Sequence, residues 1–464
     1  MPTPDRADEA AESATPNAHP PPQTEANGTM PGGPDRPRRR RTDAWLARWM
    51  AQVADLGKMR ASHPMLDAVI DEQVGRRIRI GDRWLADFAS SNYLGFDLDR
   101  EIADAVPEYL ARWGTQSGRA RMLGSPVLYR QIEERVTELV GAEDALVLPT
   151  TTLIHLSVIP LLAGGGVIFL DGRAHKTLYD GAMIARSHGA SIQRFRHNDH
   201  EHLEDLLRAS TVRPRLIAID GVNSMTGNAP DVRELARLAR EHGALLYIDD
   251  GHGFGVIGER GTDELSEWGK RGNGIVRHQG ETYENVVLVA GFSRAFSSML
   301  SFIALPSALK DALKVAAPPY LYSGPSPVAS LATALAGLAA NDTRGDLNRY
   351  EAYRKTQRIL DRLHELGVWT PNRSGFPIVQ IPLAKPEDLD GVGRYLFERG
   401  VYVTMAVHPL VPRDEVGFRI QVTAANGDDE VDLLCDVLSE VAERFELLHG
   451  RTRRPLVEDR PAPT

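Results

Sequence analysis

Cysteine is almost absent from this 464-residue chain: Cys435 is the only one. One thiol excludes an internal disulfide and any cysteine-built zinc cage, and it suits a reducing compartment. Cys435 lies in the helical pattern "VDLLCDVLSEVAERF", where a buried structural thiol is expected rather than a nucleophile. Long apolar runs are lacking too. None approaches the ~20 residues of a membrane span, and no signal-peptide core follows Met1. A soluble, cytoplasmic protein without a membrane span is expected. A positive excess is also missing: the net charge is −9, so nothing points to nucleic acid. Lysine is scarce, with only Lys58, Lys176, Lys270, Lys310, Lys314, Lys355 and Lys385.

What is present is an ordinary globular composition, with 25% charged residues and length enough for a large domain and a smaller one. Residues 1–42 are rich in Pro, Ala, Asp and Gly and close on the basic run Arg38–Arg41. With little apolar surface to bury, they read as a disordered tail, and 451–464 as a second. Between them, "DALVLPT", "GVIFLD", "PRLIAID", "ALLYIDD" and "NVVLVAG" are strands apolar enough to be buried on both faces. "DVRELARLAREHG" is a helix capped by Gly243. Alternating strands and helices define an α/β fold with a mostly parallel sheet and helices on both faces. The expected division is an N-terminal segment 43–95, a large α/β domain 96–335 and a small α+β domain 336–450. The last contains the strands "FPIVQIPL" and "GFRIQVTAA".

In such sheets chemistry sits beyond the carboxyl ends of the strands. His175 follows "GVIFLD". Ser224 lies in the turn "GVNSMTGNAP". Asp249, Asp250 and His252 stand together among glycines in "DDGHGFGVIG", and "FSRAFSS" after the last strand brings Ser293 and Arg294. A carboxylate beside a histidine is a candidate general base.

These segments resemble those of the α-oxoamine synthase family, which joins 8-amino-7-oxononanoate synthase, glycine C-acetyltransferase, 5-aminolaevulinate synthase and serine palmitoyltransferase. The likeness runs from "FASSNYLGF" to "GFRIQVTAAN". It takes in "GTQSGRARMLGSP", "DGRAHKTLYDG", "RHND", "DGVNSMTGN", "YIDDGHGFGVIGERG" and "HPLVP". It implies the fold-type-I (aminotransferase-like) architecture of pyridoxal-phosphate (PLP) enzymes, working as homodimers with the site at the subunit interface. They condense an amino acid with an acyl thioester. By resemblance, His175 stacks on the cofactor ring, Asp249 holds its nitrogen, His252 meets its phenolic oxygen and Ser224 belongs to the same cup. Asn92 touches substrate and Arg419 binds its carboxylate. Ser293 and Ser323 fall in further substrate- or phosphate-contacting segments.

The family's "GTFSKAFGSSGG" reads "AGFSRAFSSMLS" here, so Arg294 falls at the lysine that carries the cofactor. A guanidinium cannot form that imine bond. A phosphate-binding threonine falls at Gly291, the phosphate loop reads "PTTT" (149–152), the alanine under the ring is Gly251, and "FSTxxPP" reads "YSGPSP". From these departures the cofactor site is expected to be relaxed, with no cofactor, no covalently bound PLP and no metal. The expected activity is PLP-independent acyl transfer from acyl-CoA or an acyl carrier protein to a small amine or hydroxyl acceptor. His252, Asp249, His175 and Arg294 would form the catalytic set. The alternatives are a non-catalytic partner of a lysine-bearing synthase, with Arg294 paired to Asp249, and a protein that holds PLP non-covalently.

Overall fold

The computed structural model describes residues 45–51 and 53–449. The expected tails, with Arg38–Arg41, lie outside them. Residues 45–51 form a short helix exposing Trp45, Leu46, Trp49 and Met50. Residues 53–449 form one compact unit.

Its first three strands, β1 (Glu72–Val74), β2 (Arg77–Ile80) and β3 (Arg83–Asp87), form an antiparallel meander. The central sheet follows: β4 (Asp144–Leu148), β5 (Val167–Asp171), β6 (Ser191–Phe195), β7 (Arg215–Asp220), β8 (Leu245–Asp249), β9 (Val286–Gly291) and β10 (Ser301–Leu305). Their order is β4-β10-β9-β8-β7-β5-β6. The strands β6, β5, β7, β8 and β9 are mutually parallel, and β10 runs antiparallel to both neighbours. All five strands read for this sheet from the sequence are present. Two were not read as strands: β6, "SIQRF", is half-exposed, and β10 is the apolar stretch after the Arg294 turn.

Strand parity divides the core. Ala145, Val147, Phe169, Leu246, Ile248 and Leu288 face one layer of helices. Leu146, Leu148, Leu170, Tyr247, Val287 and Val289 face the other. The second layer includes the helix Thr151–Ala163, through Ile154, Val158 and Ile159.

The 38-residue helix Val328–Glu365 carries the chain from the large sheet to a smaller layer, so the change of style near residue 336 falls inside one helix. That layer has β11 (Ile378–Pro382), β12 (Val401–Tyr402), β13 (Thr404–Ala406) and β14 (Gly417–Gln421), with β11-β14-β13 as an antiparallel sheet. The short β12 pairs in parallel with β3. Met65, Ala86 and Phe88 of the N-terminal segment share a core with Val379, Phe418, Leu434 and Val437. Cys435 is buried in the helix Asp428–Arg444, as expected. No helix among the described residues is long and apolar enough to cross a membrane.

Candidate active site

The strands β5, β7 and β8 end side by side in carboxylates, Asp171, Asp220 and Asp249. Asp249 shares the parity of Tyr247, so both face the Thr151–Ala163 helix. That helix presents His155, fully buried. His155 Nε2 donates to Asp249 Oδ2 at 2.9 Å, and His155 Nδ1 lies 2.9 Å from Tyr247 Oη. The Gly251 amide donates to Asp249 Oδ1 at 3.0 Å. Burial pushes the Asp249 carboxyl up, but the interaction with His155 and the charge of Arg294 outweigh it and hold it below the usual range. Its neighbour across the ladder, Asp220, is driven up by burial and by the Asp249 charge. Asp249 is therefore the ionised member of the two. Asp220 Oδ1 accepts the His175 amide at 3.0 Å, fixing the entry to the helix Lys176–Ser187.

A cavity of about 820 Å³ opens beside these strand ends, and His175, Ser224, His252, Arg294 and Arg419 line it. Asp249 is not part of that lining; its side chain is 11% exposed, and it adjoins the lining through Gly251, where a Cβ would approach both Arg294 Nη1 and Asp249 Oδ1. The expected pairing of His252 with a carboxylate is not formed. His252 Nδ1 lies 2.8 Å from Tyr93 Oη, and the acid–histidine pair is Asp249 with His155. Burial, then the charges of Arg294 and Arg419, drive the His252 imidazole well below its ordinary value, so it is neutral. Burial also lowers His175, against the charge of Asp249. Tyr93, buried, is pushed up to about 12 and keeps its proton.

Besides Asp249, three expected residues stand away from the cavity lining. Asn92 serves through its carbonyl, which accepts from Arg76. Ser323 bonds the carbonyl of Gly324 on the surface. Ser293 belongs to a hydroxyl cluster around Gly291. A Cβ there would meet Thr151 Oγ1 at 3.1 Å, Ser301 Oγ at 3.3 Å and Ser293 Oγ at 3.5 Å, while Thr151 and Ser301 bond each other at 2.9 Å.

Arg294 comes from the turn after β9, whose backbone is held by Tyr93 N–H on the Arg294 carbonyl at 2.9 Å and Phe292 N–H on Leu300 at 2.8 Å. Phe292 and Phe296 anchor it in an aromatic cluster with Phe254 and Phe302. Among the described residues the guanidinium has a single long hydrogen-bond contact, 3.4 Å from Nη1 to the Gly251 carbonyl. A Cβ on Gly251 would lie 2.7 Å from that Nη1 and 3.1 Å from Asp249 Oδ1. The missing side chain of Gly251 thus makes room for the arginine. Lys176, the one lysine at the cavity, turns its ammonium to Asp180 on the surface.

Sequence reading missed His155, Tyr247 and Tyr93. The signal was a polar ring inside an otherwise apolar run, in "TTLIHLSVIP" and in "ALLYIDD"; such a group needs a buried partner.

A carboxylate held ionised at a strand end, an imidazole beside it and a cavity at the carboxyl edge of a parallel sheet define a fold-type-I site. The family of class I and II aminotransferases matches residues 85–438. Similar proteins include a putative 8-amino-7-oxononanoate synthase of Desulforudis audaxviator, 32% identical over 77% of this chain and 89% of its own. Another is the 8-amino-7-oxononanoate synthase of Saccharophagus degradans, 32% identical over 79% and 89%. A solved structure described as SPT with PLP superposes with a TM-score of 0.78 at 24% identity, over 86% of this chain and 98% of that one. The chain belongs to the aminotransferase class I and II family, in its α-oxoamine synthase branch.

This corrects the expectation of a chain without a cofactor. The sequence comparison at single positions counted lost phosphate ligands. In three dimensions Thr151, Ser293 and Ser301 converge on the place where Gly291 lacks a side chain. They do so beside the first turn of the Thr151–Ala163 helix, where amides lack intrahelical acceptors. An ionised carboxylate at the strand end, the His175 imidazole on the cavity and this hydroxyl cluster are a donor set that fits PLP.

Proposed function

We propose that this chain works in the acyl-thioester chemistry of its family with PLP held by polar contacts and no covalent tether. The carrying observation is the intact Tyr247–His155–Asp249 chain at the end of β8, next to the strand ends where the cavity opens. In this reading Asp249 would hold the ring nitrogen, His175 would lie against the ring, and the Thr151, Ser293 and Ser301 hydroxyls would hold the phosphate. Bound PLP supplies an electron sink that stabilises a developing carbanion. Arg419, whose Nη1 donates to the Ser224 carbonyl and Nη2 to Gln421 Oε1 at 2.7 Å, orients a substrate carboxylate. His252, neutral and fixed through Nδ1 by Tyr93, has Nε2 without a protein partner among the described residues, placed to accept a proton from an amine or hydroxyl acceptor. The acyl donor is a thioester of coenzyme A or of a carrier protein.

The partner-subunit alternative called for an Arg294–Asp249 pair. Among the described residues no ion pair joins them, which removes its specific support. We also read the chain as a homodimer, because Leu123, Met299 and Tyr322 are large apolar residues left 78%, 68% and 81% exposed.

The test is an absorbance titration of the full chain with PLP. Saturable spectral change that borohydride does not fix to protein is expected, and Asp249→Asn should weaken it at least about tenfold. Absence of binding, or a protein-bound reduced adduct, sinks the reading. Release of thiol from an acyl thioester, lost in His252→Ala, checks the transfer step.

A further inference from the structure

The cations around the cavity fall into two groups. Arg173 is paired with Glu415, and Lys176 with Asp180. Arg194 lies on the Gly172 carbonyl. Arg194 is exposed and has no carboxylate partner; among the described residues Arg419 and Arg294 lack one too, and these two are the part-buried cations of the lining. Arg419 spends its nitrogens on a carbonyl, a thioether and an amide oxygen, and its buried Nε has no partner at all. Of the five donors of Arg294, only one Nη1 contact, 3.4 Å to the Gly251 carbonyl, is made among the described residues. Among the described residues the remaining acid of the lining, Asp414, makes no ion pair with either, and Asp249, which feels the Arg294 charge, is not within ion-pair distance of it. The two guanidiniums also act on each other: burial and the charge of Arg294 together destabilise the charged form of Arg419. Two like charges at one partly desolvated cavity cost stability unless an anion joins them.

We propose that this cavity takes a ligand with two anionic groups, a dicarboxylate or an amino acid with an acidic side chain, one group for each of Arg419 and Arg294. Arg294 is the residue that selects the second charge. It is suited to that role because its backbone is fixed while its guanidinium is loosely held, resting in the space left by Gly251. It therefore swings to an incoming carboxylate without breaking an ion pair. A planar guanidinium meeting a carboxylate forms two parallel charge-assisted bonds. The inference deepens the proposed function and rests on it only for the chemistry that follows binding; the charge preference belongs to the cavity itself.

The experiment is calorimetric titration of the full chain, with and without PLP, at fixed ionic strength. Succinate and glutarate are compared with their monomethyl esters, which keep the size and lose one charge. The diacids should bind at least about tenfold more tightly. Arg294→Gln should bring diacid affinity down to that of the monoester and leave the monoester within about twofold. Arg419→Gln should weaken both. Equal affinities of diacid and monoester in the unaltered protein, or no binding of either, overturn the proposal, and these comparisons do not depend on a variant that folds. A preference that survives in Arg294→Gln overturns the role of Arg294. A diacid preference with no spectral response to PLP upholds this inference and sinks the non-covalent PLP reading alone.

Discussion

At the scale of single residues, the site is held by one buried histidine. His155 joins a strand-end carboxylate to a strand tyrosine, and each of its nitrogens is spent. Replacing it by alanine removes the partner of a buried charge and leaves the Tyr247 hydroxyl unsatisfied. We expect a loss of about 3–5 kcal/mol in denaturant unfolding and weaker PLP binding. Tyr247→Phe leaves only His155 Nδ1 without its partner and should cost about 1–3 kcal/mol. A reversed order of the two losses would show that Asp249 is stabilised mainly by something else. Arg294 and Gly251 form the second residue-scale pair. Neither is explained alone: the arginine needs the space, and the glycine is not dictated by its backbone, since it is absent from the positive-φ positions.

At the scale of elements, the segment after β8 is packed around a second carboxylate. Asp250 is fully buried and accepts the Ile275 amide at 2.8 Å through Oδ2. Side chains on Gly221, Gly253 and Gly274 would strike it, at 2.5, 2.1 and 2.6 Å. Burial pushes its carboxyl up to about 8. Its folded value lies above the unfolded one, so its contribution to stability is fully present below the unfolded value near 3.8. That contribution is lost as the pH rises through about 8. Asp250→Asn keeps an acceptor for Ile275 and does not ionise. Relative to the unaltered protein it should gain stability between pH 6 and pH 8.5, read from urea midpoints at the two pH values. A pH-independent offset would show that Asp250 stays charged in the folded state. The strand ends obey the same economy: Asp220 and Asp249 are neighbours across the β7–β8 ladder, and one of them keeps its proton.

At the scale of the molecule, the exposed apolar side chains argue for assembly. Leu123 ends the short turn Arg121–Leu123, and Tyr322 follows the helix Pro318–Leu321 that packs on that turn. They form one surface with the segment carrying Ser323. Sedimentation velocity should show a dimer, and Leu123→Asp with Tyr322→Ala should shift it towards monomer. A monomeric unaltered chain would refute the homodimer and leave that surface for another partner.

How much of this was legible beforehand follows from the physics of each feature. Local apolar runs bounded by turns gave β4, β5, β7, β8 and β9, and with them the parallel α/β sheet and the positions of Asp249, His175 and Arg294 at its edge. The short strands β1, β2 and β12 carry too few apolar residues for such a signal, because part of their surface faces solvent. The order of motifs along the chain determined the family. The partner of each polar group was beyond its reach. His155 and Asp249 meet because strand parity turns Asp249 towards a helix far away in sequence. The hydroxyls of Thr151, Ser293 and Ser301 meet because β9 and β10 lie side by side at the helix start. Hence the sequence by itself determined which chemistry-bearing residues exist and at which strand ends they fall. Only the tertiary structure decided which of them touch, because hydrogen bonds and charge compensation depend on distances that packing alone sets.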